Sequence, residues 1–216
     1  MKERLAHVLW IGGSTDAGKT SVARALAEKH AWQEYHYDRF DRFEPPGHWA
    51  RIDPTRHPHL HAQRDVNLDD RWVNTTPAEM VADWLLSTPE RFDLTLEDLR
   101  ALPPAPPIVA EGYGFLPDLV LPLLSSKRQA IWLVSTEQFK RASYERRGKG
   151  RFAGTSDPER ARRNHVGRDL LLAAEVRRRA RELGLTLLEI DGTRLLEEIV
   201  AEVEAHFAPC VPEPTR

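Results

Sequence analysis

The segment GGSTDAGKTS, residues 12–21, restricts the possible folds of this chain more than any other stretch. It directly follows the apolar run HVLWI, and a run of this kind is typical of a buried parallel strand. A helix is expected after it, from Gly18 to about Lys29. The pattern Gly, any four residues, Gly-Lys-Ser/Thr is matched by Gly13, Gly18, Lys19 and Thr20. The order strand, glycine loop, helix predicts a binding site for phosphate groups.

The residue types in this loop each suit a task in phosphate binding. A loop that wraps a phosphate turns its backbone N–H groups inward, and glycine adopts the necessary dihedral angles most easily. The N-terminus of the next helix adds partial positive charge. Lys19 can reach the β- and γ-phosphates, and the Thr20 hydroxyl can bind Mg²⁺. We therefore predict that ATP with Mg²⁺ binds to the whole loop: Gly13, Ser14, Thr15, Asp16, Ala17, Gly18, Lys19, Thr20 and Ser21.

Composition narrows the class of protein. The 216 residues are expected to form a single domain, 1–216. The formal net charge of −2 does not suggest a nucleic-acid partner. Residues 139–181 nevertheless hold fourteen Lys and Arg against five Asp and Glu, which indicates a local anion-binding region. Cys210 is the only cysteine, so no internal disulfide is expected, and no segment reaches the ~20 apolar residues of a membrane span. We expect a cytoplasmic protein without a membrane partner.

Strand-like and helix-like segments alternate along the chain, which predicts an α/β fold with a parallel sheet. The expected strands are residues 5–11, 32–38, 107–112, 129–135 and 185–190. The expected helices are residues 18–29, a segment that starts at the capping sequence Thr76-Pro77-Ala78-Glu79, and residues 95–101, 116–124, 136–147, 157–183 and 193–207. Residues 39–75 are expected to be irregular. Ligands of such sheets lie beyond the carboxyl ends of the strands, where the sequence places Gly13, Asp38, Glu111 and Asp191.

The glycine loop and the order of elements together resemble the small P-loop kinases. This group includes nucleoside and nucleotide kinases, shikimate and gluconate kinases, and chloramphenicol phosphotransferase-like enzymes. The Asn-Lys-x-Asp motif of GTPases is absent from the sequence. The resemblance implies a P-loop NTPase three-layer sandwich, with a five-stranded parallel sheet in the order 2-3-1-4-5, helices on both faces and a helical lid.

Two acidic residues at predicted strand ends extend the resemblance. In YHYDRFDRF, Asp38 is similar to the Asp that acts as base toward the acceptor hydroxyl in chloramphenicol phosphotransferase-like enzymes. An ordinary turn residue or helix N-cap is the alternative for Asp38, and Asp41 is a second candidate for the base. In IVAEGYG, Glu111 looks like the Glu that lies near Mg²⁺ in uridine kinase-like enzymes. Gly112 and Gly114 would allow backbone to approach a ligand, or would only form a turn.

The basic segment RRGKGRFAGTSDPERARRNH, residues 146–165, looks like the lid of these kinases. Arginine offers planar, permanently charged groups that suit phosphoryl oxygens. Arg147 and Arg151 flank two glycines and are the predicted catalytic arginines of the lid. A solvated helix face is the simpler explanation for most other arginines here, including Arg162, Arg163 and Arg168.

Residues 39–106 are expected to form the acceptor-binding insertion. Candidate acceptor contacts are Arg51, Arg56, Arg64, Arg71, Trp49, Trp72 and Trp84, although the tryptophans suit a core equally well. In HPHLH, the alternate positions of His57, His59 and His61 leave a metal site open. The DGT sequence at residues 191–193 is placed where related kinases hold a loop against adenine.

These features predict an ATP-dependent kinase that transfers the γ-phosphoryl group to a hydroxyl of a small-molecule acceptor. A nucleoside or nucleoside-monophosphate kinase is the alternative within the class. A nucleotide-binding regulator or an ATPase without a small-molecule acceptor is the alternative outside it. The sequence leaves the oligomeric state open.

Overall fold

The structure, a computed structural model, describes residues 5–42, 47–147 and 152–211. Five strands form its sheet: β1 (Val8–Gly13), β2 (Gln33–His36), β3 (Ile108–Glu111), β4 (Ala130–Ser135) and β5 (Thr186–Ile190). The α-helices of the described part are α1 (Lys19–His30), α2 (Tyr37–Arg42), α3 (Pro58–Ala62), α4 (Pro77–Ala101), α5 (Pro117–Val120), α6 (Glu137–Arg147), α7 (Pro158–Glu182) and α8 (Leu196–Phe207).

All neighbouring strands pair in parallel, in the order β2-β3-β1-β4-β5. This confirms the predicted fold class and strand order. The central strand β1 has β3 on one side, with Ile11 opposite Glu111, and β4 on the other, with Gly13 opposite Leu133. The glycine loop therefore leaves the sheet at its middle, between the ends of β3 and β4.

Alternation along β1 divides the core between the two faces of the sheet. Val8 and Trp10 belong to the cluster that includes residues of α4 and α7, whereas Leu9 and Ile11 pack with residues of α1 and α8. Helices thus cover both faces, and the chain forms three layers. No helix in the described ranges is long and apolar enough to cross a membrane.

The region before β3 is more helical than predicted. Residues 39–75 include the end of α2, a 3₁₀ turn at His48–Arg51, helix α3 and a π-helical turn at Asp70–Asn74. Pro58 occupies the first turn of α3, where its missing N–H costs nothing, so it starts a helix rather than preventing one. The Thr76–Glu79 capping box is confirmed, but the helix it starts runs unbroken to Ala101 through Pro89, so residues 95–101 are not a separate helix.

Candidate active site

The glycine loop connects β1 to α1, and its backbone requires glycine at two positions. Gly13 has a φ of +125°, and a Cβ there would lie 1.9 Å from the carbonyl oxygen of Leu133. Gly18 has a φ of +78° and immediately precedes α1. Asp16 also lies in the left-handed region, with a φ of +59°. That conformation costs a non-glycine residue about 1–2 kcal/mol, so neighbouring contacts must hold it.

Lys19 is buried in the first turn of α1. Its Nζ donates to the carbonyl oxygen of Ser14, at 2.7 Å, so the side chain folds back over the loop. Burial lowers the pKa of Lys19, while the negative charges of Glu111, Asp38 and Asp16 act in the opposite direction. The loop thus carries a desolvated ammonium group, and a phosphate would compensate the cost of its burial.

Thr20 and Glu111 meet beside the loop, as their predicted roles require. The Thr20 hydroxyl donates to Glu111 Oε1 at 3.0 Å, and His36 Nδ1 lies 2.9 Å from the same oxygen. Burial opposes ionisation of Glu111, but His36, Lys19 and Thr20 hold its pKa below the ordinary value. At nucleotide sites, Mg²⁺ is bound by one or two protein oxygens, such as a Ser or Thr hydroxyl or a carboxylate, and waters and phosphates supply its other ligands. These two residues therefore fit the predicted magnesium site.

His36 also belongs to this group, although no motif in the sequence indicates it. Its Nδ1 faces Glu111, and its Nε2 lies 2.5 Å from Glu34 Oε1. The hydrogen bond to Glu111 is the main cause of a raised pKa of His36. The position at the end of β2, next to the end of β3, was the available signal.

Lys140 and Asp169 form a second group that the sequence did not predict, and they contact the outer side of the loop. Lys140 Nζ lies 2.7 Å from Thr15 Oγ1, 2.7 Å from Asp16 Oδ2 and 2.6 Å from Asp169 Oδ2. Thr15 in turn donates to Asp169 Oδ2 at 2.7 Å. Asp169 is buried, which would raise its pKa, but Arg168, His165 and Lys140 hold the pKa well below the ordinary value. The contacts of Lys140 and Asp169 to Thr15 and Asp16 thus join the loop to α6 and α7.

Asp38 lies in the first turn of α2 rather than at the end of β2. The strand ends at His36, so the predicted strand over residues 32–38 was too long at both ends. Asp38 is exposed and borders the same cavity as the loop and Glu111. The side chain of Asp41 lies outside the described residues.

One cavity of about 1010 Å³ extends from the loop across the carboxyl ends of the strands. Residues at and after β5 and on α8 contribute to it: Ile190, Gly192, Arg194, Leu196 and Ile199. Its walls also include Asp38, which follows β2, together with Trp49, Arg64, Leu68, Arg71, Trp72 and Tyr113. Because β2 and β5 are the two edges of the sheet, the loop at β1 lies between Asp38, which follows β2, and Ile190, which ends β5.

The predicted acceptor contacts divide into two sets. Four of them, Trp49, Trp72, Arg64 and Arg71, border the cavity. The other three do not: Arg51 pairs with Glu97 and Asp98, Arg56 pairs with Asp93 and Glu97, and Trp84 is buried in the core.

The two glycines after Glu111 make room for a side chain. A Cβ on Gly112 would lie 2.4 Å from Tyr37 Cβ, and one on Gly114 would lie 2.5 Å from Tyr37 Cζ. These glycines accommodate the buried ring of Tyr37, which directly precedes Asp38.

The histidines of HPHLH are not on an extended strand, because residues 58–62 form α3. His57 Nδ1 accepts a hydrogen bond from the backbone N–H of Asp53, and His59 pairs with Glu90. Among the described residues, no group of three or more His, Cys, Asp or Glu could hold a metal ion.

Both predicted lid arginines are beyond what the structure describes: Arg151, and the side chain of Arg147 at the end of α6. Of the other arginines, Arg162 pairs with Glu145 at 2.6 Å. Arg168 pairs with Asp169 and lies over the Trp72 ring, 5.1 Å from its centroid. Arg146 and Arg168 border the cavity.

The sheet order, the glycine loop and the acidic strand end define a P-loop fold that resembles the small P-loop kinases. No protein-family model matches the chain, and no curated protein does. Among solved structures it is similar to a gluconokinase from Sinorhizobium meliloti 1021, with 15% identity, a TM-score of 0.47, and coverage of 96% of this chain and 94% of that one. It is also similar to TT1252 from Thermus thermophilus, with 18% identity, a TM-score of 0.46, and coverage of 94% and 99%.

Proposed function

We propose that this protein is an ATP-dependent kinase that transfers the γ-phosphoryl group to a hydroxyl of a small-molecule acceptor. The observation that supports this most directly is the shared cavity. It joins the phosphate-binding loop and Glu111 to an exposed carboxylate, Asp38, and to a wall with aromatic and cationic side chains. A kinase needs such a second compartment because donor and acceptor must be bound together.

The loop side of the cavity would bind the nucleotide. The backbone of residues 13–20 and the Lys19 ammonium would hold the phosphates. Thr20 and Glu111 would hold Mg²⁺, which neutralises charge on the phosphates when bound. The apolar wall formed by Ile190, Leu196 and Ile199 would receive the adenine.

Asp38 would prepare the acceptor. Its carboxylate would accept the proton of the acceptor hydroxyl as that oxygen bonds to the γ-phosphorus and the bond to the β-phosphate oxygen breaks. A base of this kind suits a hydroxyl better than a monophosphate, which is already ionised. Positive charge would stabilise the transferring group, and Arg147 and Arg151 remain our proposed sources of it.

We call Trp49, Trp72, Arg64 and Arg71 the acceptor wall, and their side chains favour an acceptor with a flat ring. Trp49 and Trp72, which already have Arg91 and Arg168 over their rings, would supply aromatic contact area, and Arg64 and Arg71 would supply hydrogen-bond donors. A nucleoside would also use such a wall, so a nucleoside or nucleoside-monophosphate kinase is the second candidate.

The test is an ATP-consumption screen of the purified protein with Mg²⁺. The panels are nucleosides, nucleoside monophosphates, sugars and hydroxyl-bearing antibiotics, and mass spectrometry identifies the product. One acceptor that gains one phosphate supports the proposal and assigns the class. Tight ATP binding with no product from any panel would instead favour a regulator or an ATPase.

A further inference from the structure

We propose that Lys140 and Asp169 are positioning residues that keep the phosphate-binding loop in the shape that binds ATP. This inference rests on the proposed nucleotide binding, and it concerns side chains outside the sequence pattern of the loop. Neither residue is given a role by that pattern, which specifies only Gly13, Gly18, Lys19 and Thr20.

The hydrogen bonds of Lys140 are fully used by the protein. An ammonium group has three N–H donors. The three oxygens around Lys140 Nζ belong to Thr15, Asp16 and Asp169, at 2.7, 2.7 and 2.6 Å. Lys140 is 2% exposed, so these contacts exchange little with water. Lys140 borders the cavity, but because protein oxygens take all three of its donors, we assign it to the structure of the loop rather than to a ligand.

Lys140 contacts Thr15 and Asp16, whose backbone must keep a fixed conformation for the loop to bind phosphate. Thr15 and Asp16 lie between the two glycines of the loop, where backbone N–H groups must point at the ligand. Asp16 has a φ of +59°, and its carboxylate is tied to Lys140. Thr15 is held from two sides, by Lys140 and by Asp169. Their side chains thus fix the outer side of the loop.

Asp169 adds a connection to α7. Its Oδ2 contacts Thr15 and Lys140, and its Oδ1 accepts from Arg168 at 2.6 Å. Arg168 borders the cavity and lies over Trp72. A change at Asp169 would therefore reach both the loop and the acceptor wall, whereas a change at Lys140 acts on the loop first.

The experiment compares the affinities of ATP and adenosine, because adenosine lacks the phosphates that the loop binds. Isothermal titration calorimetry is done on the wild-type protein, Lys140→Met and Thr15→Val, without acceptor. Arg141→Met is the matched control, since it removes a cation of the same helix whose partner is the exposed Glu137. Circular dichroism and thermal unfolding establish that each variant is folded.

We expect ATP to bind about tenfold or more weakly to Lys140→Met, which is the scale of loss when residues that support metal ligands are replaced, and we expect adenosine binding to be unchanged. Thr15→Val should shift ATP affinity in the same direction, although it removes no charge. Lys140→Arg should restore part of the affinity. Arg141→Met should match the wild-type protein.

Equal ATP affinity of the wild-type protein, Lys140→Met and Thr15→Val would overturn the positioning role and leave the proposed function intact. A parallel loss of ATP and adenosine binding would also overturn it, because the damage would then extend beyond the loop. A wild-type protein that binds no ATP would instead overturn the proposed function. If Lys140→Met does not fold, the result for Thr15→Val decides.

Discussion

Replacement of Asp38 by Asn tests the proposed chemistry most directly. Asn has nearly the same shape as Asp but does not accept a proton from the acceptor hydroxyl. General-base assistance contributes about 10²–10⁴ to a rate, which corresponds to about 2.7–5.5 kcal/mol of transition-state stabilisation. We expect kcat with the acceptor to fall by that factor.

Because of the position of Asp38, its replacement should affect catalysis more than folding or ATP binding. The side chain is exposed in the first turn of α2, where an acidic charge stabilises a helix by about 0.3–1 kcal/mol, so the substitution should lower the free energy of unfolding by about 1 kcal/mol or less. The residues of the loop, Thr20 and Glu111 are unchanged, and the substitution removes only a negative charge that acts on Lys19, so the KM for ATP should change much less than kcat. The loss should therefore appear mainly in kcat.

The assay is steady-state kinetics with Mg²⁺, ATP and the acceptor that the screen identifies. Glu28→Gln is the control, because Glu28 is an exposed acid on α1 that does not border the cavity. A kcat of Asp38→Asn within about threefold of wild type would refute the base role, as the lower bound for such assistance is about 10². Asp41 would then be the next residue to test.

Three further predictions concern the cavity and its support. Gly112→Ala should destabilise the fold by about 1–3 kcal/mol, because the new Cβ would lie 2.4 Å from Tyr37 Cβ; urea unfolding measures this, and an unchanged midpoint would contradict it. Trp72→Ala should raise the KM for the acceptor without changing the affinity for ATP, and an unchanged acceptor KM would remove Trp72 from the acceptor wall. The lowered pKa of Asp169 means that its ionised form stabilises the fold above about pH 4 and that this contribution is lost as the pH falls further. The gap in unfolding free energy between wild type and Asp169→Asn should therefore be widest near neutral pH and narrow below pH 4, and a constant gap would argue against it.

The parts of the site that the sequence predicts well are those encoded locally. The apolar run, the glycine loop and the helix of residues 18–29 are adjacent in sequence, so their order is enough to place Lys19 and Thr20. Glu111 was also found, because a buried strand followed by an acid places that acid at the edge where ligands bind. Short-range pattern and parallel-sheet geometry suffice for these residues.

The rest depends on contacts between distant positions. Lys140 and Thr15 are 125 positions apart in the sequence. The sequences of α6 and α7 do not show which of their polar residues face the interior. The prediction for residues 39–101 was wrong because it treated prolines as breaks, whereas Pro58 starts a helix and Pro89 lies within one. Pro58 follows the local preference of proline for the first turn of a helix. At Pro89, tertiary packing overrides the helix-breaking preference of proline, as it often does for helix propensity.

Two buried lysines contact the loop, Lys19 from α1 and Lys140 from α6, and their different hydrogen bonds predict different effects on ligand binding. Lys140 donates all three N–H groups to protein oxygens, whereas the described residues offer Lys19 Nζ a single acceptor, the carbonyl oxygen of Ser14. Lys19 therefore keeps donors for a ligand. The lysine of this loop pattern reaches the β- and γ-phosphates, whereas the backbone N–H groups contact the α- and β-phosphates.

It follows that Lys19→Met should weaken ATP binding strongly but leave AMP binding nearly unchanged. Lys140→Met should weaken both, because a misshapen loop fails every phosphate that its backbone contacts. Calorimetry with ATP, AMP and adenosine on the two variants measures the difference. Identical profiles for Lys19→Met and Lys140→Met would show that the two lysines do not have separate roles, and the division between ligand binding and loop shape would have to be abandoned.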